Sequence, residues 1–389
     1  MTNETISVNS SAASPTASIE AWLTEPLPAD VAAALQRLAR ADDVRRIAVM
    51  PDVHLAGDVC IGTVAATTRL VYPAAVGGDI GCGVAAAPFD CDAALLDDAA
   101  AAAQVLGALY AAVPTLQHTS ARAPDLPAQL AAKRLSHPQL ARLAEREGRR
   151  ELGTLGRGNH FLELQADDDN RLWLMVHSGS RIMGKSIRDH HLRASTELHL
   201  GLHGLEVASE PGRAYLSDMQ WAIEYADINR RRMLDGVAGI MRERFGVTMM
   251  IDDIISCDHN HARREIHDGS EWWIHRKGAI AAGLGEVGII PGSMGTASFH
   301  TVGRGLSRAL GSSSHGAGRA LPRGDARRQV STRALLRQLD GVWFDHRRAE
   351  ALREEAPAAY KDIGAVMRAQ RELVRITRTL RPRLSFKGT

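Results

Sequence analysis

A chain of 389 residues is long enough for one large domain or two smaller ones. Hydrophobic residues at 45% and charged residues at 24% fit a folded soluble protein, and no run reaches the roughly 18 apolar residues of a membrane span. The net charge of +2 hides an asymmetry, because from Arg304 onward there are 19 Lys and Arg against 8 Asp and Glu. Such a basic part suits a polyanionic partner, or presents solvated helix faces laced with Glu. Four cysteines (Cys60, Cys82, Cys91, Cys257) do not make a disulfide framework in so long a chain. They point to a reducing, cytoplasmic setting, where a cysteine that matters does so as a metal-bound thiolate or a nucleophile.

In chain order, Met1–Ala17 lacks the basic start and apolar core of a secretory signal and reads as a disordered tail. Ile19–Arg40 reads as an amphipathic helix, Arg46–Val53 as a short strand closing on Pro51-Asp52, and Ile61–Leu70 as an alternating strand. Gly77–Gly83 is too rich in glycine for a helix and predicts a tight loop whose backbone approaches something closely. Ala93–Val113 and Leu126–Arg150 read as helices, and Leu172–Val176 as a buried strand running into His177–Arg181. The longest helical pattern runs from about Tyr215 to Phe245, and Met249–Ser256 reads as a strand leading to Asp258–His261. Helices are expected to dominate from Thr332 to Arg378. With no internal repeat and no linker, 18–389 is expected to be one α+β domain.

His54, His160, His177, His259 and His315 each follow or sit in a loop rich in Gly, Asn or Asp, several of them directly after a predicted strand. Such loops are where a fold converges ligands from distant parts of the chain. Asp79 and Cys82, three apart among glycines, can both reach one metal, and a sulfur can bridge two. His160, His177 and His259 would complete a two-metal site. A single histidine is more often a hydrogen-bonded structural residue, and it is the set of five that weighs against that reading. Spacing does not name the metal, since such a Cys/His/Asp set takes zinc or cobalt more tightly than manganese. Ser312–Arg319 surrounds His315 with small residues and sets Arg319 nearby, which fits either a flexible serine–glycine loop or an imidazole nucleophile for phosphorus. Pro291–Thr296 resembles a phosphate-cradling turn, yet no Walker A loop is present.

Taken in order, these stretches resemble the RtcB family of RNA ligases. The resemblance is carried by Met50–His54, Val76–Gly83, Gly153–Glu163, His177–Arg181, Asp258–Asn260, His275–Ala279, Ile289–Thr296, Ser314–Arg319, Tyr360–Ile363 and Lys387-Gly388. It implies an RtcB-like α+β fold with a central β-core flanked by helices. It also implies two Mn(II) ions, one on Asp79, Cys82 and His160 and the other on Cys82, His177 and His259, with His315 as the residue that becomes guanylylated by GTP. Asn159 and Arg319 match positions near the triphosphate or RNA-end phosphate, and Arg181 one near the RNA end. Glu163, Tyr360 and Lys387 match positions that hold or cover the guanine, and Pro291, Gly292, Ser293, Met294, Gly316, Ala317 and Gly318 fall in the nucleotide-binding stretches.

The implied activity joins an RNA 3'-phosphate or 2',3'-cyclic phosphate end to a 5'-hydroxyl end, in splicing or repair, in the cytoplasm and away from membranes, with an archease-like activator as a further partner. Gly78, Val84, Arg157, Ile182, Ser313 and the stretch Leu55–Cys60 depart from the family pattern and suggest a divergent branch. A dinuclear metallophosphoesterase acting on RNA ends is the alternative; it would need the metal set but not His315 or the guanine positions. A non-catalytic RNA-end-binding subunit would explain the basic C-terminal part but not the metal set.

Overall fold

The run Leu172–Val176 is apolar at every position, the pattern of a strand covered on both faces. The computed structural model describes residues 16–199 and 201–388, with backbone alone for 196–199, and places this run inside a seven-stranded antiparallel sheet. The order is Ile255–Asp258, Gly83–Asp92, Arg171–Ser178, Phe161–Ala166, Val374–Lys387, Ser298–Gly303 and Val287–Ile290. The helices Ala99–Ala112 and Glu210–Phe245 cover one face, burying Val105, Leu109, Met233 and Val237 against Leu162, Leu164, Leu174 and Val176. A five-stranded sheet, Ser18–Ala21, Arg46–His54, Ile61–Thr67, Ser270–Lys277 and Asn260–His267, lies beside it. Ile274, Ile280, Ile290, Leu310 and Val366 share one cluster that ties the sheets together. The fold is therefore α+β, and the metal-ligand and histidine loops leave strand ends of both sheets.

The helix Glu210–Phe245 runs 36 residues between two clear signals. Ser209 accepts a hydrogen bond from the Gly212 amide at its start, and Gly246 takes a left-handed conformation at its end. None of the helices among the described residues is long and apolar enough to cross a membrane.

Several expected elements differ. Ile19–Arg40 is not one helix: Ser18–Ala21 pairs in parallel with Arg46–Val49, and the helix Ala29–Ala39 begins only after Pro26 and Pro28. Leu126–Arg150 breaks into short turns of helix, Ala128–Ala131 after Pro127 and Pro138–Leu143 with Pro138 at its first position. Of the expected strand Met249–Ser256, Met249 makes an isolated bridge to Phe89 and Ile255 and Ser256 open the strand Ile255–Asp258, with a 3-10 turn at Ile251–Asp253 between them. Helices stop at Ala369, and Val374–Lys387 is a 14-residue strand in which Arg375, Arg378 and Arg381 stand three apart, a spacing that resembles a charged helix face in sequence. Residues 1–15 of the expected tail lie outside the described residues, whereas Ala17 is buried and its amide donates to the Ala39 carbonyl.

Gly83 shows how closely the backbone packs at the ligand loop: a Cβ there would lie 2.3 Å from the Cys257 carbonyl oxygen. Gly83→Ala is accordingly expected to force the two strands apart at a cost of roughly 1–3 kcal/mol. Equilibrium urea unfolding reads this as a lowered midpoint, and an unchanged midpoint would show that the strands can separate freely.

Candidate functional site: a two-triad metal cluster opening into a nucleotide-sized cavity

Three loops bring the predicted ligands together. Gly77–Gly83 carries Asp79 and Cys82, the segment before Phe161–Ala166 carries His160, and His177 is the last residue but one of the strand Arg171–Ser178. His259 stands between the strands Ile255–Asp258 and Asn260–His267. The donor atoms form two groups sharing Cys82, one with Asp79 and His160 and the other with His177 and His259, each within 4.8 Å. His160 Nδ1 donates to the Leu155 carbonyl at 3.0 Å and His177 Nδ1 to the Asn159 carbonyl at 3.1 Å, so both Nε2 lone pairs face the cluster. His160 Nε2 then confronts the Asp79 carboxylate at 3.0 Å, and His177 Nε2 the Cys82 sulfur at 3.3 Å.

Lone pairs held this close need a proton or a cation between them. Asp79 Oδ1 and His259 Nδ1 are also buried without partners. Burial, then neighbouring imidazoles, holds His177 and His259 well below the usual histidine range and therefore neutral. Burial, then the Asp79 charge, holds the Cys82 thiol well above its usual range, and a divalent ion is the group that would reverse that. The residues fit a pair of divalent cations.

The long helix locks these loops. Arg230, 2% exposed, donates through Nη1 to the carbonyls of Gly81 at 2.8 Å and Ser178 at 3.0 Å. Asn229 accepts from the Gly153 amide at 2.6 Å and reaches the Ser178 hydroxyl at 3.2 Å. Asn260 donates to the Asp79 carbonyl at 2.9 Å. At Gly78, Arg188 occupies the space of a branched side chain: a Cβ there would lie 2.6 Å from its Nη1. Arg181 lies over Gly156 with Nη1 3.3 Å from His160 Nδ1, on the metal side.

A cavity of about 280 Å³ opens beside His177. Pro291, Gly292, Ser293 and Met294 form one wall, and His315, Gly316, Ala317, Gly318 and Arg319 another. Asn159, Glu163, Tyr360 and Lys387 close it, so of the predicted nucleotide and RNA-end positions only Arg181 stands outside. His315 Nδ1 donates to Asp52 Oδ2 at 2.6 Å, and its amide reaches the same oxygen at 3.2 Å. This leaves Nε2 with the free lone pair. Asp52 itself is fully buried. The His259 and His315 rings lie 4.7 Å apart, joining the metal cluster to the cavity.

At the opposite end Glu163 accepts from Gln165 at 2.9 Å and Ser385 at 3.1 Å, and burial pushes its carboxyl up to about 7. Glu355 gathers Lys387 at 2.5 Å, Tyr360 at 2.6 Å and Arg323 at 2.5 Å. Burial raises its pKa, but Lys387 and Arg323 outweigh this and hold it below the usual carboxylate range. Arg319 stacks on the Tyr360 ring at 5.1 Å.

Reading the sequence alone missed Asp52, Asn229, Arg230, Asn260, Arg323 and Glu355 as parts of the site. One signal was available. Tyr225, Ala226, Met233, Leu234 and Val237 form an apolar stripe at helical spacing, and Asn229-Arg230 interrupts it where a core residue is expected.

A family model described as tRNA-splicing ligase RtcB matches residues 34–136 and 126–388. The RNA-splicing ligase RtcB of Escherichia coli K12 is 34% identical over 397 residues, covering 93% of this chain and 95% of that protein. RNA-splicing ligase RtcB1 of another Escherichia coli strain is 34% identical over 396 residues with the same coverage. The RNA-splicing ligase RtcB of Mycobacterium tuberculosis is 30% identical over 407 residues, covering 85% of this chain and 93% of that protein.

Replacing Arg230 by Met keeps the length of the side chain and removes both carbonyl partners. About 3 kcal/mol of stability should be lost, because two buried carbonyls lose a charged donor. Calorimetric titration with Mn(II) should show weaker binding as the loops slacken; unchanged binding would restrict Arg230 to a purely global role.

Proposed function

The chain belongs to the RtcB family of RNA-splicing ligases, and from that premise we propose that it joins RNA 3'-phosphate or 2',3'-cyclic phosphate ends to 5'-hydroxyl ends with GTP and Mn(II). The observation that carries this reading is the tether between His315 Nδ1 and Asp52, which leaves Nε2 free in a cavity shared with the metal ligand His177. Two manganese ions, held by Asp79, Cys82 and His160 and by Cys82, His177 and His259, would supply Lewis-acid neutralisation of phosphoryl charge when bound.

His315 Nε2 attacks the α-phosphorus of GTP, forming an N–P bond as the bond to pyrophosphate breaks. Asp52 stabilises the imidazolium that develops, as a buried carboxylate does for any histidine it orients. Arg319 and Asn159 bind phosphoryl oxygens, and Arg181 holds the RNA end beside the metals. Glu163 accepts hydrogen bonds from the guanine edge, while Tyr360 and Lys387 cover the base. An oxygen of the RNA 3'-phosphate then takes the guanylyl group from His315, breaking the N–P bond. Attack by the 5'-hydroxyl releases GMP and seals the strand; a cyclic end is first opened by water. The four cysteines are free, which agrees with a reducing cytoplasmic location, and an archease-like activator remains part of the proposal.

Incubation with α-labelled GTP and Mn(II) should give an acid-labile protein–GMP adduct that disappears in His315→Ala. No adduct from folded, metal-loaded protein would sink the ligase reading and favour a phosphoesterase working through the metal cluster alone.

Nucleotide affinity should also follow Glu163. Burial pushes its carboxyl up to about 7 in the folded protein, and only the ionised form can accept from two guanine N–H groups at once through both oxygens. Because this pKa is raised, the folded ligand-free protein holds the proton more tightly than the unfolded chain, and stability falls as pH rises from the ordinary carboxylate range through 7. GTP binding runs the other way: it should be constant above about pH 8 and weaken about tenfold per unit well below 7. Isothermal titration across this range checks it, with Glu163→Gln expected to lose both the pH dependence and most of the affinity.

A further inference from the structure

Arg181, the RNA-end position outside the nucleotide cavity, has an unusual backbone. Its φ of 57° and ψ of −137° lie outside the left-handed helical well, close to the region that glycine alone populates readily. Of the other non-glycine residues with positive φ among the described residues, three are Asp or Asn, whose short polar side chains tolerate it. A long side chain keeps such a conformation only where its surroundings leave no alternative. The aim of Arg181 depends on it. The guanidinium lies flat on Gly156, where a Cβ would come within 2.2 Å of Cζ, Nη1 and Nη2 alike. Its Nε is buried without a hydrogen-bond partner, and Nη1 meets His160 Nδ1 at 3.3 Å, whose proton is already directed at the Leu155 carbonyl. Backbone conformation, not side-chain pairing, therefore directs this cation.

One contact fixes that backbone. The ψ angle of Arg181 sets the orientation of the peptide joining it to Ile182, and the Ile182 amide donates to Glu151 Oε2 at 2.8 Å. Ile182 opens the helix Ile182–Ala194, whose N-cap, Arg181, has no side-chain acceptor to offer. Glu151 supplies one from 31 positions away and sets a carboxylate at the positive end of the helix. Glu151 is itself anchored, because its carbonyl accepts from the Thr154 amide at 3.1 Å and the Thr154 hydroxyl at 2.7 Å. From the long helix, Tyr225 donates to the nearby Gly148 carbonyl at 2.6 Å. Ser180 steadies the other side of Arg181 by donating to the Ile80 carbonyl at 2.5 Å.

We propose that Glu151 is the positioning residue that aims Arg181 at the RNA 3'-phosphate. The inference rests on the ligase reading and deepens it. With the acceptor in place, the Arg181–Ile182 peptide has one orientation and the guanidinium stays over Gly156 beside His160. Without it the peptide can rotate, Arg181 relaxes to negative φ, and its side chain leaves Gly156. Phosphate binding then draws on a minor conformer, and the apparent affinity for the RNA end falls by the fraction still correctly aimed. A pre-aimed guanidinium with unused donors suits a terminal phosphate, to which it can make two parallel hydrogen bonds. His315 and its tether to Asp52 belong to a cavity that Arg181 does not line, so the reaction with GTP should not feel the change.

The test uses the full chain with Mn(II). Protein–GMP is formed first with α-labelled GTP, and RNA with a 3'-phosphate and a blocked 5' end is then added, so that GMP transfer is read without sealing. In Glu151→Ala the RNA concentration for half-maximal transfer should rise about tenfold, the factor expected if roughly a tenth of the molecules keep the aim. Protein–GMP formation should stay as in the wild type. Glu151→Gln, which keeps an acceptor oxygen, should restore most of the affinity for RNA. On an Arg181→Ala background, Glu151→Ala should add nothing, a non-additivity that a purely structural role would not show. A wild-type half-maximal concentration in Glu151→Ala, or an undiminished effect in the double variant, would overturn the inference while leaving the ligase reading intact. Absence of the wild-type protein–GMP adduct would remove the reading and the inference together. If Glu151→Ala does not fold, Glu151→Asp decides by the same readout, because it keeps the charge and draws the oxygen back from the Ile182 amide. Half-maximal transfer at the wild-type RNA concentration in that variant would equally overturn the proposal.

Discussion

One sulfur has to serve two ligand sets. Cys82 belongs both to the group with Asp79 and His160 and to the group with His177 and His259, so its loop has no slack in any direction. A shift that improves one group spoils the other, and coordination geometry tolerates only a few tenths of an ångström. The surroundings meet this demand from every side. Arg230 pulls on the Gly81 carbonyl from the helix, and Asn260 holds the Asp79 carbonyl from the neighbouring sheet. Gly179 leaves room for the Asp79 carboxylate, which would lie 2.3 Å from any Cβ placed there. The long helix is thus as much a part of the candidate metal site as the five converging side chains are.

The two ends of the cavity beside His177 present opposite electrostatic environments. At the metal end, neutral imidazoles and an un-ionised thiol surround a place that attracts positive charge. At the far end Glu355 has already gathered Lys387, Arg323 and Tyr360, so those groups are oriented before any ligand arrives. A triphosphate carrying counter-cations fits the first environment, and a base with donor groups along one edge fits the second. Pre-orientation of this sort is how a site avoids the cost of reorganising dipoles during reaction.

Much of this was legible in the sequence, for reasons that differ by element. The candidate ligands could be read because glycine-rich loops after apolar strands mark convergence, and Asp79, Cys82, His160, His177 and His259 come together in two groups that could each hold a metal ion. The buried strand Leu172–Val176 and the long helix announced themselves by continuous and 3.6-residue apolar patterns. The strand Val374–Lys387 did not, because register shifts between Ile376 and Arg378 and between Pro382 and Leu384 break the two-residue alternation, and three of its arginines stand three apart. Asp52 was read as the end of a strand, since its partner lies 263 positions away and no local pattern encodes so distant a pairing. Glu355 was hidden for the same reason: its value depends on Lys387 and Arg323, which only the tertiary fold brings near.

The position of Val374–Lys387 within the sheet has a consequence for how the molecule is made. It lies between Phe161–Ala166 and Ser298–Gly303, with four strands on one side and two on the other. Until this segment arrives the sheet exists as two separate pieces, each exposing an unpaired edge that can bond to another chain. Its pairing with Phe161–Ala166 bridges more than 200 positions, as from Lys387 to Phe161, and contacts so remote form slowly because a long loop must close first. During synthesis the half-built protein therefore has a long interval of vulnerability to aggregation. A single late insertion ends it, joining the halves and carrying Lys387 into the cavity in the same event.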